Sequence, residues 1–139
     1  MTTFYSSAKT IHAGRKPVFG FLSDVRNFKN LIPEVRIRNF EAERDRCRFT
    51  VDGLGEIGIR VALREPDENI RLESDGQVPF RFNILIRLDD TGSGSTNMKI
   101  TLDADLNVMM KMIAQKPIEE GVEMAATLLA GHLNNHKWA

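Results

Sequence analysis

The chain has 139 residues, a normal length for one domain built on one core. Hydrophobic residues make up 42% of it, which excludes a disordered chain, and 19 basic residues balance 19 acidic ones. Zero formal net charge with no evident basic face argues against a nucleic-acid binder, and no apolar run approaches the ~18 residues needed to cross a bilayer.

The single cysteine, Cys47, cannot form an internal disulfide, so nothing points to an oxidising compartment. The stretch Met1 to Thr10 is short and polar-alternating and lacks the apolar core of a signal peptide. The expectation is a soluble cytoplasmic protein forming one domain over residues 1–139.

Thr2 to Ile11 alternates and reads as a strand. Which face it buries is ambiguous, and a solvent-facing Lys9 favours Phe4, Ala8 and Thr10 inward. Ala13 and Gly14 break it. Pro17 then sits at a helix start, and Val18, Phe21, Leu22, Val25 and Phe28 carry a helical period to about Asn27 or Phe28. A second short turn, Phe28 to Ile32, ends at Pro33.

From Val35 the period becomes two. Val35 to Glu43 reads as a strand, followed by a turn at Asp45 and Arg46. Cys47, Phe49 and Val51 alternate up to Asp52-Gly53, and Ile57, Ile59, Val61 and Leu63 up to Pro66-Asp67. Ile70 and Leu72 mark a strand closed by Asp75-Gly76. Phe80, Phe82, Ile84, Ile86 and Leu88 give the strongest alternation, with Arg81, Asn83 and Arg87 between them and Leu85 as the one apolar intruder. Asp89 to Ser95 (D-D-T-G-S-G-S) is a loop by composition, and Met98, Ile100, Leu102 and Ala104 form a final strand opposed by Lys99, Thr101, Asp103 and Asp105.

Strands with one apolar face need a cover, and the stretch from Asn107 onward supplies it. Asn107 is the stronger N-cap candidate and Asp105 the weaker. Pro117 suits a first helical turn, and Glu119, Glu120 and Glu123 suit the positive end of the helix dipole. Ile118, Val122, Ala125, Leu129 and Leu133 recur at steps of three and four, one stripe on a helix. The fold class expected is α+β: a curved antiparallel sheet of about seven strands wrapped on a long C-terminal helix, with one or two short helices after the first strand.

This order resembles the START-like or SRPBCC superfamily, the helix-grip fold of polyketide cyclases, pathogenesis-related plant allergens and lipid-transfer domains. Within it, the chain resembles small bacterial SRPBCC or polyketide-cyclase-like proteins. The resemblance spans the chain and rests on F-x-S-D-x-x-N-F at Phe21 to Phe28, L-I-P at Leu31 to Pro33 and G-L-G-E-I-G-I at Gly53 to Ile59. L-D-A-D-L-N at Leu102 to Asn107 and K-P-I at Lys116 to Ile118 complete it. It implies an apolar cavity between helix and sheet for a hydrophobic, lipid- or polyketide-like small molecule. The residues implied to line it are Ile59, Val61, Leu72, Phe80, Phe82, Ile84, Ile100 and Leu102 from strands, with Val122, Ala125, Ala126 and Leu129 from the helix. Fold-level likeness does not settle activity.

Other candidate sites have plainer readings. Gly121, Ala125, Ala126, Ala130 and Gly131 would either leave room for a ligand or let the helix pack closely on Phe80 and Phe82. His132 and His136 share a helix face at metal-binding spacing but lack a third ligand, and His12 reads as solvated. Asp103 and Asp105 share a strand face, which water keeps ordinary and ionised. Cys47, in phase with Phe49 and Val51, reads as a buried, inert thiol.

Arg36, Arg38, Arg44, Arg46 and Arg48 are interleaved with Glu34, Glu41, Glu43 and Asp45, as on a charge-compensated sheet face. Met109, Met110 and Met112 read as core filler, with an adaptable binding surface as the alternative. The Asp89 to Ser95 loop lacks the lysine and following helix of a phosphate cradle.

A carrier or sensor of a hydrophobic ligand is the first functional expectation, with no catalytic residue, metal or cofactor assigned. The second is a cyclase- or dehydratase-type enzyme, for which Thr10, Ser74 and Ser6 are the only inward polar groups. The third is a module that dimerises through an edge strand or through Tyr5, Ile11 and Trp138.

Overall fold

The period-two runs in the middle of the chain pair consecutively, because short turns join them and each has one apolar face to bury. The computed structural model describes residues 1–31 and 37–136, residues 30 and 31 by their backbone. Its strands are β1 (Thr2–Tyr5), β2 (Lys9–Ile11), β3 (Ile37–Ala42), β4 (Arg46–Val51), β5 (Gly55–Glu65), β6 (Asn69–Ser74), β7 (Phe82–Asp90) and β8 (Thr96–Ala104). Helix α1 (Arg15–Leu22) and a 3-10 helix (Val25–Leu31) precede β3, and α2 (Val108–Asn135) follows β8. The sheet is antiparallel, in the order β1-β8-β7-β6-β5-β4-β3, with β2 also on β8. The expected Phe28 to Ile32 turn overlaps the later part of this 3-10 helix as far as Leu31. Ile32, Pro33, Glu34, the Val35 strand start, Arg36 and Trp138 lie outside the described residues.

The first strand is a correction. Tyr5 pairs with Thr101 and Lys9 with Met98, so the chain advances four residues here while β8 advances three. The extra residue is a bulge that reverses the alternation. Phe4 and Ser6 point into the core and so does Ile11, whereas Ala8 and Thr10 are exposed. A second bulge lies between Val61 and Leu63, where Leu63 pairs with Arg71 and Arg64 with Ile70. Leu63, expected inward, is therefore turned out and 47% exposed. Arg64 takes the inner side and donates to the Ser23 carbonyl (2.8 Å) and the Asp45 carboxylate (2.6 Å). A third irregularity falls between Arg38 and Glu41 in β3, where Asn39 has φ +57°. Bulges bend the strands that carry them; two of the three lie on edge strands, and the one in β5 is interior to the sheet.

α1 stops at Leu22, short of the expected Asn27 or Phe28. Side chains compete for its last carbonyls: Ser23 Oγ donates to Phe19 O (2.7 Å) and Asn27 Nδ2 to Phe21 O (2.8 Å). Asp24 accepts from the Arg26 amide and guanidinium. Val18, Leu22 and Val25 are fully buried by this hook.

α2 begins at Val108, because Asn107 Oδ1 accepts from the Met110 amide (2.8 Å) and satisfies one orphan donor of the first turn. Pro117 therefore lies inside the helix rather than in its first turn, and Glu119, Glu120 and Glu123 sit in mid-helix, away from the dipole's positive end. The core stripe is Ala114, Ile118, Val122, Ala126, Leu129, Ala130 and Leu133. Ala125, expected in it, is exposed; its neighbour Ala126 holds the four-residue spacing from Val122.

Two sets of polar bonds fasten α2 to the first strands. The Glu123 carboxylate accepts from Ser7 N (2.7 Å) and Ser7 Oγ (2.8 Å) and pairs with Lys9 Nζ (2.8 Å). Asn134 accepts from His12 N (2.7 Å) and donates to Thr10 O (3.1 Å). The Lys9 ammonium, followed by the Ser7 donors, holds the Glu123 carboxyl down at about 2.

The outer face of β4, β5 and β6 is charge-compensated, but by acids of neighbouring strands and turns rather than by the interleaved Glu41, Glu43 and Asp45; Arg38 pairs with Asp52 (2.8 Å) and Asp45 with Arg64 (2.6 Å). Arg60 pairs with Glu73 (2.7 Å) and Arg46 with Asp75 (3.4 Å), while Arg48 pairs with Glu56 and donates to the carbonyls of Asp75 (3.0 Å) and Gln77 (2.6 Å). Arg48 can lie flat only because residue 58 is glycine: a Cβ there would sit 2.3 Å from both Arg48 Nη1 and Asp75 O.

Gly58→Ala is expected to lower stability by about 1–3 kcal/mol in urea unfolding, since one contact is with backbone. An unchanged midpoint would mean the Asp75 turn yields freely. For Glu123, a folded carboxyl near 2 against an ordinary 4.5 stabilises fully above pH 4.5, and the contribution fades as pH falls toward 2. Glu123→Gln should therefore be the less stable protein at pH 6, with the two stability curves converging between pH 4.5 and about 2. Parallel curves across that window would contradict it.

Candidate functional site

Paired residues in an antiparallel sheet point to the same face, so the registers trace rows across the concave side. One row runs Ile100, Ile86, Ile70 and is sealed. The adjacent row runs Phe4, Leu102, Ile84, Leu72, Val61. In it Phe4 and Leu72 are buried, but Leu102, Ile84 and Val61 are only half-buried although they face inward. Phe49 and Val51 on β4 are likewise half-buried, and the Phe40 and Phe49 rings stack at 6.0 Å. Leu54, Phe80, Leu106 and Met110 continue the set, all packed against the core without being covered by it.

The cause lies in the placement of the helices. α2 makes its close approaches to β1, β2, β8 and the 3-10 helix, and α1 to β6 and β7. The 3-10 helix approaches β3 and β4. Between these approaches the apolar strip of Leu102, Ile84 and Val61, with Phe49 and Val51, stays half-buried. Such a strip can hold an apolar group by excluding water and supplies little that fixes its orientation.

The twelve residues implied to line a cavity divide accordingly. Ile59, Leu72, Phe82, Ile100, Val122, Ala126 and Leu129 are buried in the wall, Val61, Phe80, Ile84 and Leu102 face the strip, and Ala125 is exposed on α2. Phe40, Phe49, Val51, Leu54, Leu106 and Met110 belong to the strip and were missed. Phe49 and Val51 were readable from their alternation with Cys47, whereas the bulge in β3 hides Phe40. Of the helix's small residues, Ala126 and Ala130 pack inward while Gly121 and Gly131 are exposed. Met109 and Met112, read as core filler, stand in solvent.

The polar groups near the strip are engaged. Ser6 Oγ accepts from Ile100 N (2.9 Å) and donates to Ser7 O (2.9 Å). Ser74 Oγ accepts from Phe82 N (3.3 Å). Thr10, expected inward, is exposed and donates to Asn97 Oδ1 (3.0 Å). Cys47 is buried, and desolvation pushes its thiol up to about 12.

Elsewhere, His132 and His136 lie against the Phe21 ring at 5.3 and 5.5 Å, and no group of three His, Cys, Asp or Glu gathers at metal-binding range among the described residues. Asp103 accepts from Thr3 Oγ1 (2.6 Å) and Asp105 is exposed. Asp89 and Asp90, expected in a loop, end β7, and the turn that follows closes on itself, Thr91 N donating to Ser95 O (3.2 Å) and Gly92 N to Asp90 Oδ1 (2.8 Å).

A curved antiparallel sheet wrapped on a long C-terminal helix, with a short helix after the first strands, is the START-like, helix-grip fold. Solved structures bear this out. A START superfamily protein from Mycobacterium smegmatis superposes with a TM-score of 0.70 at 16% identity, over 96% of this chain and 97% of that one. The Zhui aromatase/cyclase from Streptomyces sp. R1128 gives 0.77 at 14% identity, over 96% and 95%. Norcoclaurine synthase from Thalictrum flavum, in complex with dopamine and hydroxybenzaldehyde, gives 0.79 at 12% identity, over 99% and 89%. At these identities the likeness establishes the fold alone. No protein-family model and no curated protein matches the sequence. No helix among the described residues is long and apolar enough to cross a membrane.

Cys47 should react with a disulfide reagent at pH 8 only as fast as the protein opens, since both burial and the raised thiol withhold the thiolate. Rapid stoichiometric labelling of the folded protein would overturn its placement in the core.

Proposed function

We propose that this protein binds a hydrophobic small molecule, lipid- or polyketide-like in character, between α2 and the sheet, as a cytoplasmic carrier or sensor. The observation that supports this reading is the strip of inward-facing but half-buried apolar side chains, Leu102, Ile84, Val61 and Phe49, beside a fully sealed row. Apolar surface left uncovered inside a fold forfeits stability that a ligand can restore. The thalictrum synthase, which shares the fold, holds small aromatic compounds in its structure. An enzymatic role has weaker support here, because the serine hydroxyls near the strip are bonded to backbone and the one thiol is buried and protonated.

Native mass spectrometry of the protein as purified tests the reading, followed by solvent extraction of any added mass. The expected result is a stoichiometric adduct that extracts as an apolar or amphipathic compound. Leu102→Trp, which fills the strip from β8, should weaken uptake of that compound by about tenfold or more while the far-ultraviolet dichroism stays unchanged. A protein that carries nothing and takes up no apolar probe, or a variant that binds as well as the parent, would reject the proposal.

A further inference from the structure

The inward hydroxyls of the fold differ in what becomes of their protons. Three are buried, and each donates to a backbone carbonyl: Ser6 to Ser7 O (2.9 Å), Ser23 to Phe19 O (2.7 Å) and Thr96 to Ala13 O (2.8 Å). A hydroxyl carries one proton, so these three have none left to give. Ser74 differs. Its Oγ accepts from Phe82 N (3.3 Å), and among the described residues no protein oxygen accepts from it.

The sheet register places this proton beside the apolar strip. Ser74 pairs with Ile59, which is buried on the concave side, and it follows Ile70 and Leu72 in the alternation of β6. It is half-buried, one step beyond Leu72 in the row that also holds Ile84 and Val61. The β6–β7 pairing ends at Glu73 and Asn83, and there the Phe82 amide takes Ser74 Oγ in place of a further carbonyl. That bond holds the oxygen, while rotation about Cβ–Oγ is left to aim the proton. The Phe80 and Phe82 rings, 5.9 Å apart, stand at the same end.

We infer that Ser74 is the polar anchor of the apolar strip, its Oγ donating to an uncharged acceptor oxygen, a carbonyl or an ether, of the hydrophobic molecule held there. This rests on the binding reading above and narrows it to compounds that carry such an oxygen at the Ser74 end. Apolar walls exclude water without fixing orientation, and one directed donor supplies what they lack. A pure hydrocarbon would strip water from that donor and return nothing, so the hydroxyl also selects against it. A carboxylate is the poorer fit, because a single neutral donor does not replace the hydration that an ion loses.

The test is equilibrium dialysis of the full chain against two probes of one shape, methyl naphthyl ketone and its isopropenyl counterpart, in which a methylene replaces the carbonyl oxygen. Ser74→Ala should lower the ratio of ketone to hydrocarbon affinity by about tenfold, and Ser74→Thr, which keeps the hydroxyl, should hold it. Ser74→Cys, similar in size and a weaker donor, should show the same fall where loss of the Phe82 amide's partner keeps the alanine variant from folding. The carbonyl stretching band of the bound ketone should lie at lower wavenumber in the parent than in the alanine or cysteine variant, a shift that a merely structural serine would not produce. An unchanged ratio, or one band position in parent and variant, would overturn the inference and leave the binding reading standing. Uptake of neither probe by the parent would reject the binding reading and this inference with it.

Discussion

The polar clip between α2 and the first two strands decides how the rest of the molecule is covered. Glu123 accepts from both donors of Ser7 and pairs with Lys9, and Asn134 bridges His12 and Thr10 further along. Together they hold the helix along the β1–β2–β8 side, where Val122, Ala126, Leu129 and Leu133 seal the core. Small side chains at 126 and 130 allow the close approach. A helix held to one side of a wide, curved sheet cannot cover its middle. The half-buried strip follows from where the clip lies as much as from the residues that form it.

Polar satisfaction explains why that strip is chemically quiet. The two bulges that reverse alternation also bring polar groups toward the interior, and each finds a partner. Ser6 completes the Ile100 amide that the break between β1 and β2 would otherwise orphan, and Arg64 spans to the Ser23 carbonyl and Asp45. A buried hydroxyl or guanidinium bound in this way stabilises the fold but is not free to transfer a proton. The outer face uses the same logic at lower stakes: its ion pairs are solvent-exposed, and each contributes little, while Gly58 gives Arg48 the space to reach two turn carbonyls.

The sheet was legible because period two is a strong signal, and β5, β6 and β8 fall where their alternation placed them, while β7 runs Phe82–Asp90, which leaves Phe80 before the strand and takes Asp89 and Asp90 out of the expected loop. The bulges were not, since an extra residue on one strand is visible only against its partner. Thr10, Leu63 and Phe40 were misread or missed for that one reason. The helix boundaries failed differently. Pro117 is a good first-turn residue in isolation, but Asn107 caps the chain ten residues earlier, and the proline is accommodated on the exposed side. Local propensity named a position the helix could begin, and the cap determined where it does. At α1, serine and asparagine side chains took carbonyls that a longer helix would have needed.

α2 thus has two halves with different demands. Beyond Pro117 it presents an apolar stripe inward and glutamates outward, the pattern of a surface helix covering a sheet. Before Pro117 the pattern inverts: Ala114 is buried, while Val108, Met109, Met112 and Ile113 face solvent. Folding stability does not account for side chains that bury nothing, and a polar first turn capped by Asn107 would cover the sheet equally well. Leu106 and Met110, half-buried at the same turn, pack against the core that carries the apolar strip. One helical turn therefore joins the inner apolar surface to the outer one.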